Sequence, residues 1–476
     1  MDPAKADLLS GRYNEDAERF SRLLRVEENF DLIEKRLTAG ENRMTLWAPQ
    51  GLTKGESLEK LLSALASGRD LGTGKSGDAA KFAEAHLPVM QTKVSASFVE
   101  LTAEVLSGCA VLFCDGFGPE ALVADLRLYP VRESAEPEND KVMRGSRDGF
   151  VENILTNVSL IRRRIRSTGL TVRKVQAGKS TVTDVAVLWM EGRADGAYAE
   201  DLTRRIGGLD TDSLVLGHQS IAEALCPRGW LNPFPKLRCT ERPDTAAAIL
   251  LEGGVIVLCD NTPEAMIFPV TLFHFLQETD DFYFSPLTGT YLRLLRHLIF
   301  WLTMIVTPLW YLSLRHADLL PPILRFLVPH DPGDLPILLQ LIVTEFALDG
   351  LKLASLNTPD VLASSLSVVG GLLLGDFAVT VGWVSPDVIL YMAFVAIANF
   401  TQSSYELGYA FKYLRVMTLV LVALFDWIGL LAGLAAAVLL AAVNRTADGR
   451  RRFLWPLFPW DGHAMARLVF RLKKKD

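Results

Sequence analysis

No C-x-x-C pair, no H-E-x-x-H, no G-x-S-x-G and no complete phosphate-binding loop occurs in these 476 residues. Those absences remove thiol redox centres, zinc peptidases, α/β-hydrolases and P-loop NTPases from the classes the chain can be assigned to. Cysteine is scarce. Cys109, Cys114, Cys226, Cys239 and Cys259 are unpaired in spacing, and several sit in apolar runs such as VIVLCD, so they are expected as reduced core residues. The first twenty residues hold no apolar h-region, so no cleaved secretory signal is expected and the N-terminal region is expected to face the cytoplasm. A net charge of −6 is modest for this length and implies no nucleic-acid partner.

Two phosphate-loop look-alikes fail on spacing. GTGKSG (72 to 77) and AGKST (177 to 181) would need their first glycine at positions held by Arg69 and Arg173, and the former follows the helical pattern LEKLLSALAS. DTD (210 to 212) has the form of a D-x-D metal motif, but two acids around a polar residue are common in solvated turns. No catalytic constellation assembles, no cofactor or metal is expected, and the chain is read as a non-enzyme. No internal repeat is evident.

The chain has instead long apolar runs, all in its C-terminal part. LIFWLTMIVTPLWYLSL covers 298 to 314 without a charge, close to the roughly 20 residues that cross a hydrocarbon core. Further runs cover 335 to 353, 361 to 384 and 386 to 400, and a last one extends from Val416 to Val443 with Asp426 its only charge. Twenty-eight residues are too many for one upright pass and too few for two full ones, so a tilted span and a short hairpin both stand. Arg293 and Arg296, Lys412 and Arg415, and the basic tail (Arg445, Arg450 to Arg452, Arg467, Arg471, Lys473 to Lys475) are expected on the cytoplasmic side. Two cytoplasmic ends require an even number of crossings, which favours a hairpin in 416 to 443 or one re-entrant segment.

The N-terminal part reads as α/β. CAVLFCDG with EALVADLRLY and GGVIVLCD with EAMIFPV are expected as β-hairpins, and VTDVAVLWM (182 to 190) as a strand. Helices are expected to open at Asp148 and Asp244, each capping its first turn. RESAEPENDK from Arg132 reads as a linker. The expected organisation is an α/β subdomain over 1–135, a second over 136–290, an all-α polytopic transmembrane domain over 291–445 with five to six hydrophobic segments, and a basic tail over 446–476.

Ser364, Ser367, Gly371, Gly375, Ala378 and Gly382 are spaced by 3, 4, 4, 3 and 4 residues, which at about 100° per residue keeps them in one stripe. Such a stripe serves close approach of helix backbones or, in a ring of subunits, the lining of a pore. Glu345, Asp349 and Lys352 share a helix face. Asp349 and Lys352 are expected to pair, leaving Glu345 and Asp376 as ion-path candidates. Arg162, Arg163, Arg164 and Arg166 are partner-contact candidates, although three adjacent helical residues spread over about 200° and cannot all address one ligand.

RDGFVENILTNVSLIRRRIR (147 to 166), NPFPKLRCTERPDTAAAILLEG (232 to 253), GTYLRLLR (289 to 296) and the apolar block, in that order, resemble the GerA family of bacterial spore germination A subunits over roughly 110 to 460. LNTPDVLAS, where nutrient-receptor A subunits are more often basic, and the closing LWPLFPW carry a finer match to an accessory branch of that family. The resemblance implies a protein of the inner spore membrane that assembles as a homo-oligomer, a pentamer in the family, into a channel releasing monovalent cations during germination, together with other germination membrane proteins. The rival readings are the A subunit of a nutrient receptor and, from other classes, a non-conducting scaffold or a membrane-anchored enzyme. The first 110 or so residues match least.

Overall fold

The computed structural model describes residues 7–39, 42–67, 78–86, 91–128, 145–212, 214–215, 217–226, 232–278, 280–356, 358, 368–401, 404–447 and 452–470. The linker expected from Arg132, the GTGKSG segment, Ser364 and Ser367 lie outside the described residues. Two compact units are present, Met1–Pro227 with Leu237–Pro269, and Arg228–Lys236 with Val270–Asp476.

The first unit contains one five-stranded sheet in each stretch expected as a subdomain. The first sheet is built from β1 (Leu32–Ala39), β2 (Asn42–Pro49), β3 (Thr92–Ser95), β4 (Ala110–Cys114) and β5 (Ala121–Ala124), in the order β1-β2-β4-β5-β3. The second is built from β6 (Leu170–Ala177), β7 (Thr183–Met190), β8 (Arg238–Thr240), β9 (Val255–Cys259) and β10 (Ala265–Phe268), in the order β6-β7-β9-β10-β8. Every pairing is antiparallel, and β4–β5 and β9–β10 are the expected hairpins.

The two orders are the same. The helices match too: α1 (Tyr13–Leu24), α2 (Gly55–Ser67), α3 (Asp78–His86) and α4 (Phe98–Ser107) are interleaved with β1 to β5 as α5 (Ile154–Arg164), α6 (Gly196–Gly207), α7 (His218–Leu225) and α8 (Pro243–Leu251) are with β6 to β10. The unit is a duplicated α/β module, which corrects the expectation of no repeat. Its sequence trace is short: Cys114-Asp115 then Pro119-Glu120-Ala121 in one copy, Cys259-Asp260 then Pro263-Glu264-Ala265 in the other.

Helices cover both faces of the first sheet. Trp47, Val111, Phe113 and Val123 pack with Phe20 of α1 and Leu101 of α4, while Leu46, Leu112, Cys114 and Leu122 pack with Leu61 of α2 and Phe82 of α3. Strands buried on both faces need no polar alternation, which is why AVLFC and VIVLC are uninterrupted. Burial pushes the thiols of Cys109, Cys114 and Cys259 up to about 11. These three should therefore resist iodoacetamide at pH 8 in the folded protein and react only after denaturation, as peptide mass mapping would show.

Both expected helix starts are displaced. α5 begins at Ile154, where Asn153 accepts the Thr156 N–H at 2.9 Å, and Asp148 pairs instead with Arg164. α8 begins at Pro243, with Arg242 at the cap and Asp244 inside the first turn. A proline at the first helical position has no N–H to satisfy, so it marks a start as firmly as a capping side chain does.

The second unit is helical. It comprises α9 (Pro286–Arg315), α10 (Ile337–Leu356), α11 (Val368–Thr380), α12 (Pro386–Phe400), α13 (Tyr405–Val443) and a short amphipathic α14 (Gly462–Val469). α13 is not one rod. At Asp426 the backbone turns to φ 50°, ψ −126°, and beyond it Gly429 lies on the Leu421 carbonyl, while a Cβ on Gly433 would stand 2.5 Å from Thr418 Oγ1. Residues 15 apart in one straight helix lie about 22 Å apart, so α13 doubles back, the hairpin left open by its length.

Side-chain contacts fix the direction of each segment. The ring centres of Phe300 and Phe411 lie 4.1 Å apart and Leu312 clusters with Val422, so α9 runs parallel to the first half of α13. Leu341 clusters with Leu419 while Glu345 and Asp349 meet Arg415 and Lys412, so α10 runs against them. Gly370 abuts Leu351 and the Gly382 carbonyl accepts the Asp334 N–H, which sets α11 antiparallel to α10. Gln340 accepts the Ser385 N–H, and Lys352 lies over the Phe400 ring, which sets α12 parallel to α10. Six segments therefore alternate, and the start of α9 and the end of α13 lie at the same end of the bundle.

Candidate functional site

Inside this bundle is a cluster of charge. Arg415 is fully buried and donates to Glu345 at 2.5 Å and to the Thr303 carbonyl at 3.3 Å. Three residues earlier on α13, Lys412 pairs with Asp349 and lies 5.4 Å from the Phe346 ring centre. Lys352 sits among the rings of Phe400, Tyr405 and Tyr409 at 5.0 to 5.5 Å. Thr303, Thr307, Thr344 and Thr418 are buried on the same three helices.

This corrects three expectations. Lys412 and Arg415 do not flank the last helical segment but lie inside it, with Arg415 about 16 Å along the axis from the turn at Asp426. Asp349 pairs with Lys412 across helices rather than with Lys352 one turn away. Glu345 is neutralised by Arg415 rather than open to an ion. Buried carboxylates and cations of this kind persist because each satisfies the other. The sequence signal lies in Lys412 and Arg415, which share a helix with the last apolar run; position along the chain points to orientation, and only the contacts show the pairing.

At the turn of α13, Arg315 and His316 approach Asp426 at 3.0 and 3.4 Å, and Arg315 also donates to the Val422 carbonyl at 2.9 Å. Thus the C-terminal end of α9 clamps the one residue that breaks α13.

The small-residue stripe is split. Leu372–Phe377 is π-helical, and a π turn holds about one more residue than an α turn, so positions beyond it are rotated by about 100°. Gly371 is exposed and Gly375 half-buried, and a Cβ on either would meet no atom of the described residues within 4 Å. Ala378 packs into the cluster of Val384, Val388 and Met392. Gly382 lies beyond the helix at φ 84°, where its left-handed backbone ends the segment. Asp376 is exposed on the π-helical turn.

The four arginines are likewise separated. Arg162 is buried and forms two hydrogen bonds, 2.8 and 2.9 Å, to Asp31. It is an internal tie between the two modules, which removes it as a partner contact. Arg164 pairs with Asp148, while Arg163 and Arg166 are exposed. The AGKST and DTD segments lie on each other: Lys179 pairs with Asp210, and Ser180 Oγ donates to Asp212 at 2.5 Å. Both acids thus have partners within the chain.

A duplicated α/β module followed by a helical bundle, in which Pro286–Arg315 and the doubled-back Tyr405–Val443 have the length and apolarity of membrane-crossing helices, is the pattern of a membrane protein. The chain belongs to the GerA family: the model described as Bacillus/Clostridium GerA spore germination protein matches residues 20–476. It is 37% identical over 375 residues to stage V sporulation protein AF of Bacillus subtilis, covering 79% of this chain and 75% of that one. Spore germination protein KA of Bacillus subtilis is 29% identical, covering 82% of this chain and 71% of its own length. The N-terminal domain of the A subunit of the Bacillus megaterium spore germinant receptor GerK3 superposes with a TM-score of 0.41 at 21% identity, over 55% of this chain and 95% of that one. The chain is a spore germination membrane protein.

Proposed function

We propose that this protein is a subunit of a homo-oligomeric channel that releases monovalent cations from the spore core, in the accessory role suggested by its similarity to stage V sporulation protein AF. It crosses the inner spore membrane several times, holds its α/β modules in the cytoplasm, acts with other germination membrane proteins and performs no enzymatic step. The observation that supports this reading is the placement of Gly371 and Gly375 on α11, the first exposed and the second half-buried, where an added Cβ would meet no atom of the described residues within 4 Å. Around an axis of copies such small residues leave an opening that larger side chains close. Asp376, beside them, supplies a cation-attracting charge on the same turn. Pairing of Glu345 with Arg415 and of Asp349 with Lys412 keeps the other charges out of the conduction path and holds the helices in register.

The similarity to spore germination protein KA supports a second reading, the A subunit of a nutrient receptor. Potassium release from germinating spores lacking this chain separates the two. An accessory channel predicts slower release with every germinant, whereas a receptor subunit predicts loss of the response to one germinant with the others unchanged. Release at the parental rate with all germinants would exclude both.

A further inference from the structure

Three side chains with metal-binding atoms meet at the edge of the second sheet. Ligand atoms of His218, Cys239 and Glu264 all lie within 4.8 Å of one another, and His218 Nε2 is 3.3 Å from Glu264 Oε2. We propose that these residues hold a single zinc ion, with Cys239 as thiolate and water in the fourth position.

The fold brings them together by construction. β8 is the edge strand, and Cys239 is the register partner of Met266 on β10. Glu264 precedes Met266 by two residues, so it returns to the same face beside the cysteine. His218 is the first residue of α7. Its cap, Gly217, has φ 52°, and a Cβ there would collide with Thr262 Oγ1, so a glycine lets the helix start against the turn that leads into β10. The other ring nitrogen, His218 Nδ1, is buried without a hydrogen-bond partner.

The duplication supplies an internal comparison. In the first module Val94 pairs with Leu122 where Cys239 pairs with Met266, and Glu120 precedes β5 as Glu264 precedes β10. The corner therefore folds without a thiol, and the cysteine of the second copy adds chemistry that the architecture does not demand. Nitrogen, sulfur and oxygen donors together suit zinc, whose bonds of roughly 2.0–2.3 Å require only a modest closing of the three side chains. On binding, the thiol proton of Cys239 passes to solvent and the metal–sulfur bond forms in its place. The ion would tie the three-residue edge strand to α7.

Cobalt(II) reports such a site optically. Full-length protein in detergent, stripped with a chelator, should bind one equivalent of cobalt with a thiolate charge-transfer band and tetrahedral visible bands, and zinc should displace it. Cys239→Val, which installs the first module's residue, should abolish the charge-transfer band and weaken binding by at least about 10-fold with the circular dichroism unchanged; Glu264→Gln should weaken it by roughly 10-fold while keeping the band. Absence of saturable binding at one equivalent, or an unaltered spectrum and affinity in Cys239→Val, would overturn the assignment.

Discussion

Arg415→Met, made alone, is expected to lower stability by roughly 3–5 kcal/mol, because it leaves the Glu345 carboxylate buried with no countercharge. Glu345 is 5% exposed and its carboxylate accepts from Arg415 at 2.5 Å. Asp349 does not rescue it, being another acid and committed to Lys412. The loss should appear as poor monodispersity in mild detergent and a lower unfolding midpoint. Arg415→Met with Glu345→Leu removes both charges and keeps most of the volume, so it should recover the greater part of the deficit. The sign of that coupling is the diagnostic. A double variant no more stable than Arg415→Met would show that the two side chains do not rely on each other.

Arg162→Ala is expected to destabilise the N-terminal unit by a similar 3–5 kcal/mol. The guanidinium makes two bonds to buried Asp31 and reaches the Leu170 carbonyl at 3.2 Å, so its removal strands an acid and an acceptor at the junction of the modules. Nearby, Asn29 accepts the Val172 N–H at 2.7 Å and Arg25 pairs with Glu191, which burial raises and the Arg25 and Trp189 hydrogen bonds bring below the usual glutamate range. Arg163→Ala, exposed on the same helix, should change stability by no more than about 0.5 kcal/mol. Chemical denaturation of the full chain distinguishes the two through the shift of its unfolding midpoint. Equal effects would contradict the placement of Arg162.

The parts that were legible in the sequence rest on local pattern. Hairpins β4–β5 and β9–β10 announced themselves through apolar runs around Gly-Phe-Gly-Pro and Asn-Thr-Pro turns, and the length of 416 to 443 required either a tilt or a reversal. The duplication was not legible because what its copies share is topology. Apart from the Cys-Asp and Pro-Glu-Ala pairs, a buried strand accepts any apolar residue, so Val94 and Cys239 occupy matching places without resembling each other. The charged cluster was misassigned because rules on basic residues near spans count position along the chain, and Lys412 and Arg415 precede an apolar run whose helix in fact begins at Tyr405. The stripe from Ser364 to Gly382 assumed one helical period throughout, which the π turn at Leu372–Phe377 breaks.

Potassium release from liposomes holding the purified protein tests the proposed role most directly. A Cβ at Gly371 or Gly375 meets no atom of the described residues within 4 Å, so Gly371→Leu and Gly375→Leu are the variants to compare with the natural sequence. The natural sequence is expected to leak potassium, and each leucine is expected to slow the leak at least about 10-fold while the oligomer stays intact on cross-linking. A protein that assembles but never leaks, or a leak that both substitutions leave unchanged, would contradict a pore lined by α11.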